Sequence, residues 1–556
     1  MLFVLEGGEP EARRRWGKLV ASGKLGVVRA PGKKPRLIGD GSVSGANRAS
    51  RIHEHVRLPG LQGIQRFLSM PAAQEKSWVA FSFDVAAAHK RVLICEQEQG
   101  LCCFVLEGVW YVYRSCYFGA KWSAYWWSCV GAWLVRMLHR FIWLQHGLWL
   151  YVDDGMLLLP KSVAPLVGGV AVMFLCALGV PLSWRKLDLG TELVWIGWKF
   201  NFDGAHASLP LEKREKLSSL LGPLCKKGAK VERREVESLI GLLIWFTAGA
   251  FWLRPWLSNF YNLLYKPSAV PRLLSIDQFQ ELVSSLSQDL RVLRPLKQCD
   301  ICANWQLHSV ANSPVSGLAA PSLLAPRSRH GRVSCVFFNF DSKLVTSNGD
   351  CVHAAKLFTQ VLRVQAPIPL RVHHEAAPNF GAADAFATSD SAGIGGWWVP
   401  PGLEELPEQV KWFQFHLDAS QLPSWFRSKD SECLQKCIAA LEGLAQVVLL
   451  ALRAAEAELV PGRHTLVLAQ LCDNQGTASA SCKMLSLKQP LDAVLQVLGF
   501  FCSKYGVGLH MTHIAGERNI WADQLSRGVV PAGFVHTNHR SLDIKLLLEE
   551  PWDAAT

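Results

Sequence analysis

Apolar runs that stop abruptly at an acid recur along the chain. Ser77–Phe83 is apolar and aromatic apart from its serines, and Asp84 follows. Trp149–Val152 is apolar, Asp153 and Asp154 follow, and Gly155-Met-Leu-Leu-Leu159 resumes the run. A short apolar run bounded by a turn signal reads as a buried strand. The first run therefore predicts a strand ending at Asp84, and the second a β-hairpin with two acids at its tip. The stretch 78–200 alternates such runs with turns. From 211 to 265 the pattern becomes helical: charged blocks (Glu212–Lys216, Glu232–Glu237) alternate with an apolar stripe at Leu239, Leu242, Leu243 and Phe246. Residues 309–332, rich in Ser, Pro, Ala and Arg, read as a linker or insertion. A further domain is expected from about 385, with a strand, a long helical run at 431–457, a strand at 465–472 and a short helix at 519–526. No internal repeat or heptad run is present.

Val163–Leu182 carries no charge for 20 positions, long enough to span a bilayer. Pro165, Gly168, Gly169, Gly179 and Pro181 interrupt it, and it lies between polar segments that would share one aqueous site. The expectation is an apolar helix inside a large enzyme, not a membrane span.

Composition sharpens this. The 556 residues allow three or four domains with their own cores. Half the residues are hydrophobic and 19% are charged, which excludes a disordered or fibrous chain. Lys and Arg number 58 against 46 Asp and Glu, a net charge of +12. Twelve of the cations but only five of the acids fall in residues 1–57. Ala30-Pro-Gly-Lys33-Lys34-Pro35 interrupts that basic stretch, so a hairpin tip carrying positive charge is expected, facing a polyanion. The sixteen cysteines form no paired framework, and no signal peptide is legible, so reduced thiols and a cytoplasmic or nuclear location, not secretion, are expected. The 22 tryptophans read first as packing residues. Cys299-Asp-Ile-Cys302 and His373-His374-Glu375 are isolated pairs and triplets with no matching partner motif.

Carboxylates at the ends of two hydrophobic strands cost stability unless a cation neutralises them. If the strands are neighbours, Asp84 and Asp153 can bind two divalent ions about 4 Å apart, with Asp154 in support, and such a pair activates an attacking hydroxyl and stabilises a leaving pyrophosphate.

The motifs then become specific. Tyr151-Val-Asp153-Asp154 resembles the Tyr-x-Asp-Asp signature of reverse transcriptases, and Ser82-Phe-Asp84-Val-Ala-Ala-Ala-His89 resembles the first aspartate motif of that family. Tyr117-Phe-Gly119-Ala-Lys-Trp-Ser123-Ala124 is similar to its Phe-Gly-x-x-Ser-Ala segment. Gly179-Val-Pro-Leu-Ser183-Trp-Arg-Lys186 is similar to the motif that ends in a lysine, and Trp195-Ile-Gly197-Trp198 to the primer-grip hairpin. Lys33-Lys34-Pro-Arg36-Leu-Ile-Gly-Asp40 resembles the fingers hairpin that holds the triphosphate. The resemblance implies that Lys34 and Arg36 neutralise the triphosphate. It implies that Gly119 lets the nucleotide approach, that Lys186 protonates pyrophosphate, and that Trp195, Gly197 and Trp198 grip the primer. His89 stands where the family has the Tyr or Phe that excludes ribonucleotides, a departure that leaves discrimination between dNTPs and rNTPs open.

Four later acids, Asp390, Glu432, Asp473 and Asp523, are 42, 41 and 50 residues apart and only tertiary folding can gather them. They resemble the Asp-Glu-Asp-Asp core of ribonuclease H, with Glu442 on the same expected helix as Glu432. Asn519-Ile-Trp-Ala-Asp523-Gln-Leu-Ser-Arg527 is similar to the ending of retroelement ribonucleases H. No aspartic-protease triplet is present. The chain thus looks like the reverse transcriptase–ribonuclease H segment of an LTR or DIRS-like retrotransposon. The implied fold is an α+β right-hand polymerase of fingers, palm and thumb, followed by an α/β ribonuclease H-like domain with a mixed sheet. The expected divisions are fingers and palm 1–205, thumb-like helices 206–270, connection 271–384, ribonuclease H-like domain 385–530 and tail 531–556. The implied cofactor is Mg²⁺ or Mn²⁺, two ions per active site. The implied partners are an RNA template, a DNA primer, an RNA–DNA hybrid and dNTPs, with no membrane. The competing reading is an inactive or domesticated remnant that binds nucleic acid without catalysis.

Overall fold

The computed structural model describes residues 2–29, 35–52, 54, 56–265, 272–275, 293–295, 305–310, 323–326, 332–337, 344–364, 367–371, 376–423, 425–426, 433–456 and 466–549. Two compact units form: Met1–Pro210 with Pro367–Val372, and Leu211–Ala366 with His373–Thr556.

The first unit holds three sheets. A five-stranded sheet runs in the order Leu2–Leu5, Val109–Tyr113, Cys103–Leu106, Ser22–Val28 and Arg36–Asp40. Its last two strands pair antiparallel from Lys24 opposite Asp40 to Val28 opposite Arg36, the basic hairpin expected from the sequence. A four-stranded sheet runs Gly147–Tyr151, Asp154–Pro160, Trp78–Asp84 and Asp188–Gly190. Apart from Ser82 and the acids at their ends, its inner strands are apolar because both of their faces are covered: Met156, Leu157, Leu158 and Leu159 are each 0% exposed. Helices Lys121–Phe141 and Ala164–Ala177 contribute Trp127, Leu134, Leu138, Val167, Ala171 and Leu175 to the core of this sheet, and Phe141 stacks on Phe174 at 4.1 Å between ring centroids. A further sheet joins Glu192–Trp195, Trp198–Asn201, His206–Ser208 and Ile368–Pro369.

The charge-free run at 163–182 yields a helix of only 14 residues. At 1.5 Å per residue it reaches roughly 21 Å, short of the ~30 Å of a bilayer core. Among the described residues one helical stretch, Leu434–Glu456, is long and apolar enough to cross a membrane, and 89% of its apolar 18-residue window is buried inside the protein.

In the second unit the helical pattern at 211–265 resolves into Leu211–Leu224, Arg233–Phe246 and Leu257–Tyr265. A fourth helix, Gly349–Val364, joins them through Phe358, whose ring lies 6.5 Å from Phe246 and 6.0 Å from Phe260. An antiparallel sheet of Arg272–Ser275, Arg332–Phe337, Leu323–Pro326, Trp305–Val310 and Leu293–Pro295 draws strands from the stretch read as a linker.

The last sheet is mixed, in the order Lys411–Asp418, Ser391–Trp398, Ala376–Ala387, Leu466–Cys472 and Val507–His513. The first three strands are antiparallel and the last two run parallel to Ala376–Ala387. Alternation sends successive side chains to opposite faces. Ile394 and Trp398 pack with helices Ile438–Glu456 and Leu491–Tyr505, while Trp397 and Trp412 pack with the short helix Ile520–Ser526. The core beneath Leu491–Tyr505 continues into the helical bundle: a Cβ on Gly499 would sit 2.4 Å from the Trp252 carbonyl, and Gln496 Nε2 lies 3.4 Å from Asn259 Oδ1.

Candidate active sites

The two apolar runs of the sequence become neighbouring antiparallel strands in register, with Asp84 directly opposite Asp154. Tyr151 pairs with Asp154, so Val152 and Asp153 are the two turn residues of the hairpin. Val152 takes φ 55°, a left-handed conformation unfavourable for a β-branched residue by roughly 1–3 kcal/mol. Three hydrogen bonds to successive carbonyls hold it there. Trp127 Nε1 donates to Val152 O (2.6 Å), Val85 N to Asp153 O (2.9 Å) and Trp195 Nε1 to Asp154 O (3.3 Å). Phe83 lies across from Gly155, and a Cβ there would meet the Phe83 ring at 2.2 Å. The glycine after the doublet is therefore a packing requirement of the opposite strand.

Asp84 is buried, 5% exposed. Ser183 Oγ donates to its Oδ1 (2.5 Å) and Lys186 Nζ to its Oδ2 (2.6 Å). Burial pushes its carboxyl up, but the hydrogen bonds from Lys186 and Ser183 outweigh burial and hold it below the ordinary carboxylate range. Asp154 goes the other way: burial, then the charges of Asp153 and Asp84, push it up to about 6. Facing carboxylates of which one resists ionisation form a donor set that a divalent cation would relieve. Lys186 already places a positive charge on that set, so the residues fit the two-ion site implied by the sequence. Asp84 and Asp154 line a cleft of about 830 Å³ with Arg185, Lys186, Trp195 and Lys199.

The other expected residues of this site are placed as follows. Arg36 opens its strand and is exposed; Lys34 lies outside the described residues. His89 is half-buried beside Phe118, with ring centroids 5.4 Å apart, and burial lowers its basicity against the opposing charge of Asp153. It is therefore a neutral ring at neutral pH. Gly119 has φ 103°, and a Cβ there would meet the Gly39 carbonyl at 2.0 Å. Its missing side chain lets two backbones cross there. Trp195 and Trp198 are 4% and 1% exposed and pair across a turn of Ile196 (φ 42°) and Gly197 (φ 86°). They build this hairpin from within, while Val194 and Lys199 on its strands face outward.

The second acidic cluster differs in membership from the expected set. Ala382 pairs with Leu471 across parallel strands, which brings Asp384 and Asp473, each two residues on, side by side. Asp384 is buried, 6% exposed; burial first, then Asp473 and Asp523, push it up to about 7. Glu442, also buried, is raised to about 7 by burial and by Asp384 and Asp473, against a hydrogen bond from Asn474. Ligand atoms of Glu442, Cys472 and Asp473 lie within 4.8 Å of one another, a grouping able to hold a metal ion. Asp523 arrives on Ile520–Ser526, which lies directly on the sheet: a Cβ on Gly393 would meet Ser526 O at 1.8 Å, and one on Gly395 the Leu525 carbonyl carbon at 2.4 Å. Gly393 and Gly395 thus serve helix-on-strand packing. Ser526 Oγ links the two parts, donating to Asp384 Oδ2 (3.4 Å) and to Asp523 O (2.9 Å).

Asp390 is not in this cluster. It is exposed at the turn after Ala376–Ala387, with Ser389 Oγ on its carboxylate. Glu432 lies outside the described residues, while Glu442 is gathered in. Sequence reasoning missed Asp384 because it sought acids at strand ends; the available signal was one acid amid Ala382, Ala383, Ala385 and Ala387.

No protein-family model and no curated protein sequence matches the chain. Solved structures do. The foamy viral protease-reverse transcriptase dRH in complex with double-stranded DNA matches at 12% identity and TM-score 0.38, over 89% of this chain and 65% of that one. The chain thus spans just under two thirds of that relative's length. The same enzyme matches in complex with an RNA/DNA hybrid (12%, TM-score 0.34, 91% and 73% covered) and with double-stranded DNA (12%, TM-score 0.38, 88% and 77%).

Proposed function

We propose that the chain is an RNA-directed DNA polymerase that also hydrolyses the RNA of RNA–DNA hybrids, in the service of a retroelement. One observation carries this reading: Asp84 and Asp154 stand face to face at the ends of paired strands, with Asp153 at the turn and Lys186 on the buried member. Asp84, Asp153 and Asp154 would hold two divalent ions in the polymerase site, and Asp384, Glu442, Asp473 and Asp523 would hold another pair in the nuclease site. When bound, such ions activate the attacking hydroxyl or water and neutralise the leaving oxygen. The protein's own groups do the positioning. The pinned turn fixes the Asp153 backbone next to the strand end of Asp84. Arg36, exposed on the basic hairpin, offers a planar fork to a triphosphate. The neutral His89 ring, backed by Phe118, walls the approach near Asp153, where a 2′-hydroxyl would be excluded by bulk. In the nuclease site, Ser526 orients Asp384 and the glycine floor of Gly393 and Gly395 sets the height of Asp523.

Primer extension on poly(rA)/oligo(dT) with Mg²⁺ tests the polymerase half. Asp153→Asn with Asp154→Asn should abolish dNTP incorporation while template binding persists. A native chain that binds the template and never extends the primer would reduce it to a nucleic-acid-binding remnant. In the nuclease half, Asp384→Asn should lower hybrid cleavage by about 100-fold or more and Asp390→Asn should leave it intact. The opposite ranking would return Asp390 to the site.

A further inference from the structure

Both carboxylate oxygens of Asp84 are engaged within the protein, Oδ1 by Ser183 and Oδ2 by Lys186. The two donors come from one turn that is fastened to the strand they serve. Ser183 N donates to Asp84 O (2.9 Å), Lys186 N to Ser183 O (2.8 Å), and Ser82 Oγ to Lys186 O (3.5 Å). The side chains differ in access: Asp84 is 7% exposed and Lys186 is 62% exposed. The lysine stem therefore lies across the solvent side of a buried carboxylate, and its ammonium is also in the field of Asp154 and Asp153. An ion that approaches Asp84 Oδ2 from the solvent side meets Nζ first.

Resting on the two-ion reading above, we propose that Lys186 is a displaceable stand-in cation. Its ammonium neutralises the carboxylates of the polymerase site while that site lacks divalent ions, and it is expelled from Asp84 when an ion binds. The exchange is one of position: Nζ leaves Oδ2 and a metal–oxygen contact replaces it. A flexible, mostly exposed stem makes the swing inexpensive, and it delivers the freed ammonium into the cleft shared with Arg185 and Lys199. Ser183 keeps its hold on Oδ1, so the carboxylate does not rotate when the lysine departs. A lysine reserved only for the leaving pyrophosphate would instead have no influence on ion binding in the absence of nucleotide.

The measurement is Mn²⁺ binding to the full chain carrying Asp384→Asn and Asp473→Asn, which silence the second cluster, without nucleotide or nucleic acid, followed by the electron-paramagnetic-resonance signal of free Mn²⁺. Lys186→Gln should tighten Mn²⁺ binding by about tenfold, the scale of removing one unit charge a few ångström from the ion at high effective dielectric. Lys186→Arg, which keeps the charge, should stay close to the native affinity. Unchanged or weaker binding in Lys186→Gln overturns the proposal. Should that variant fail to fold, the native protein gives the same answer: reductive methylation of Lys186, read by mass spectrometry, should rise when Mn²⁺ is added, and a constant yield overturns the proposal. Asp84→Asn separates the layers. If it leaves the Mn²⁺ affinity of the polymerase site intact, the two-ion reading itself falls. If it removes that binding while Lys186→Gln has no effect, only the stand-in role falls.

Discussion

The packing of single residues explains why the doublet hairpin has its particular sequence. Gly155 must be glycine because the Phe83 ring occupies the place of its Cβ, 2.2 Å away. Gly155→Ala should destabilise the first unit by about 1–3 kcal/mol, the usual scale of overpacking, and should also depress primer extension by shifting the neighbouring doublet. A chemical-denaturation midpoint paired with an extension assay checks both. Replacing Phe83 with Leu in the same chain should recover much of the loss, and the absence of such coupling would remove the explanation. Asp84 and the Asp153-Asp154 doublet are legible in the amino-acid sequence because each closes a largely apolar run, where a charge has no packing reason to be. Asp384 is harder to find, because its strand continues past it with Ala385, Phe386 and Ala387, so its one local mark is an acid set among alanines and not an acid at a strand end. The roles of Gly119, Trp195 and Trp198 are likewise hidden, since each depends on what lies opposite in space.

Among the elements, the strand Ser391–Trp398 and the helix Ile520–Ser526 form one device. Gly393 and Gly395 leave the strand bare on the face where the helix lands, and the helix carries Asp523 toward Asp384. Gly395→Ala places a Cβ 2.4 Å from the Leu525 backbone. The helix must lift, so hybrid cleavage should drop by roughly tenfold or more while primer extension is unaffected. Equal loss of both activities would mean that the substitution unfolds the chain. The existence and order of these elements are legible in the sequence: a strand near 465–472 and a helix near 519–526 are expected and are found at Leu466–Cys472 and Ile520–Ser526. The reason for the glycines is not, because backbone-to-backbone approach between segments more than 120 residues apart leaves no local pattern.

For the molecule as a whole, the buried acids set a pH dependence of stability. Asp384 and Glu442 are each raised to about 7 in the folded, ion-free protein, from ordinary values near 4. A carboxyl whose folded value is raised binds its proton more tightly when folded, so its contribution to stability is full below about pH 4 and is lost as pH climbs through 7. In chelator, the second unit should therefore unfold at lower denaturant at pH 8 than at pH 5. Mg²⁺ should restore the midpoint at pH 8, and Asp384→Asn should flatten the pH profile. A midpoint that rises from pH 5 to pH 8 in chelator would contradict the buried cluster. The mixture of strands and helices is the most legible property at this scale, since apolar runs and helical stripes follow from burial. The joining of Gly349–Val364 to the helices at 211–265 is beyond reach, because Phe358 lies about a hundred residues from its partner rings, Phe246 and Phe260.

Gly499 is seated against the Trp252 carbonyl, with Gln496 beside Asn259. A lineage that lost its C-terminal module by deletion, or traded it by recombination, would strip those bundle residues of their cover. Truncating the chain ahead of that module would therefore uncover Trp252 and Asn259.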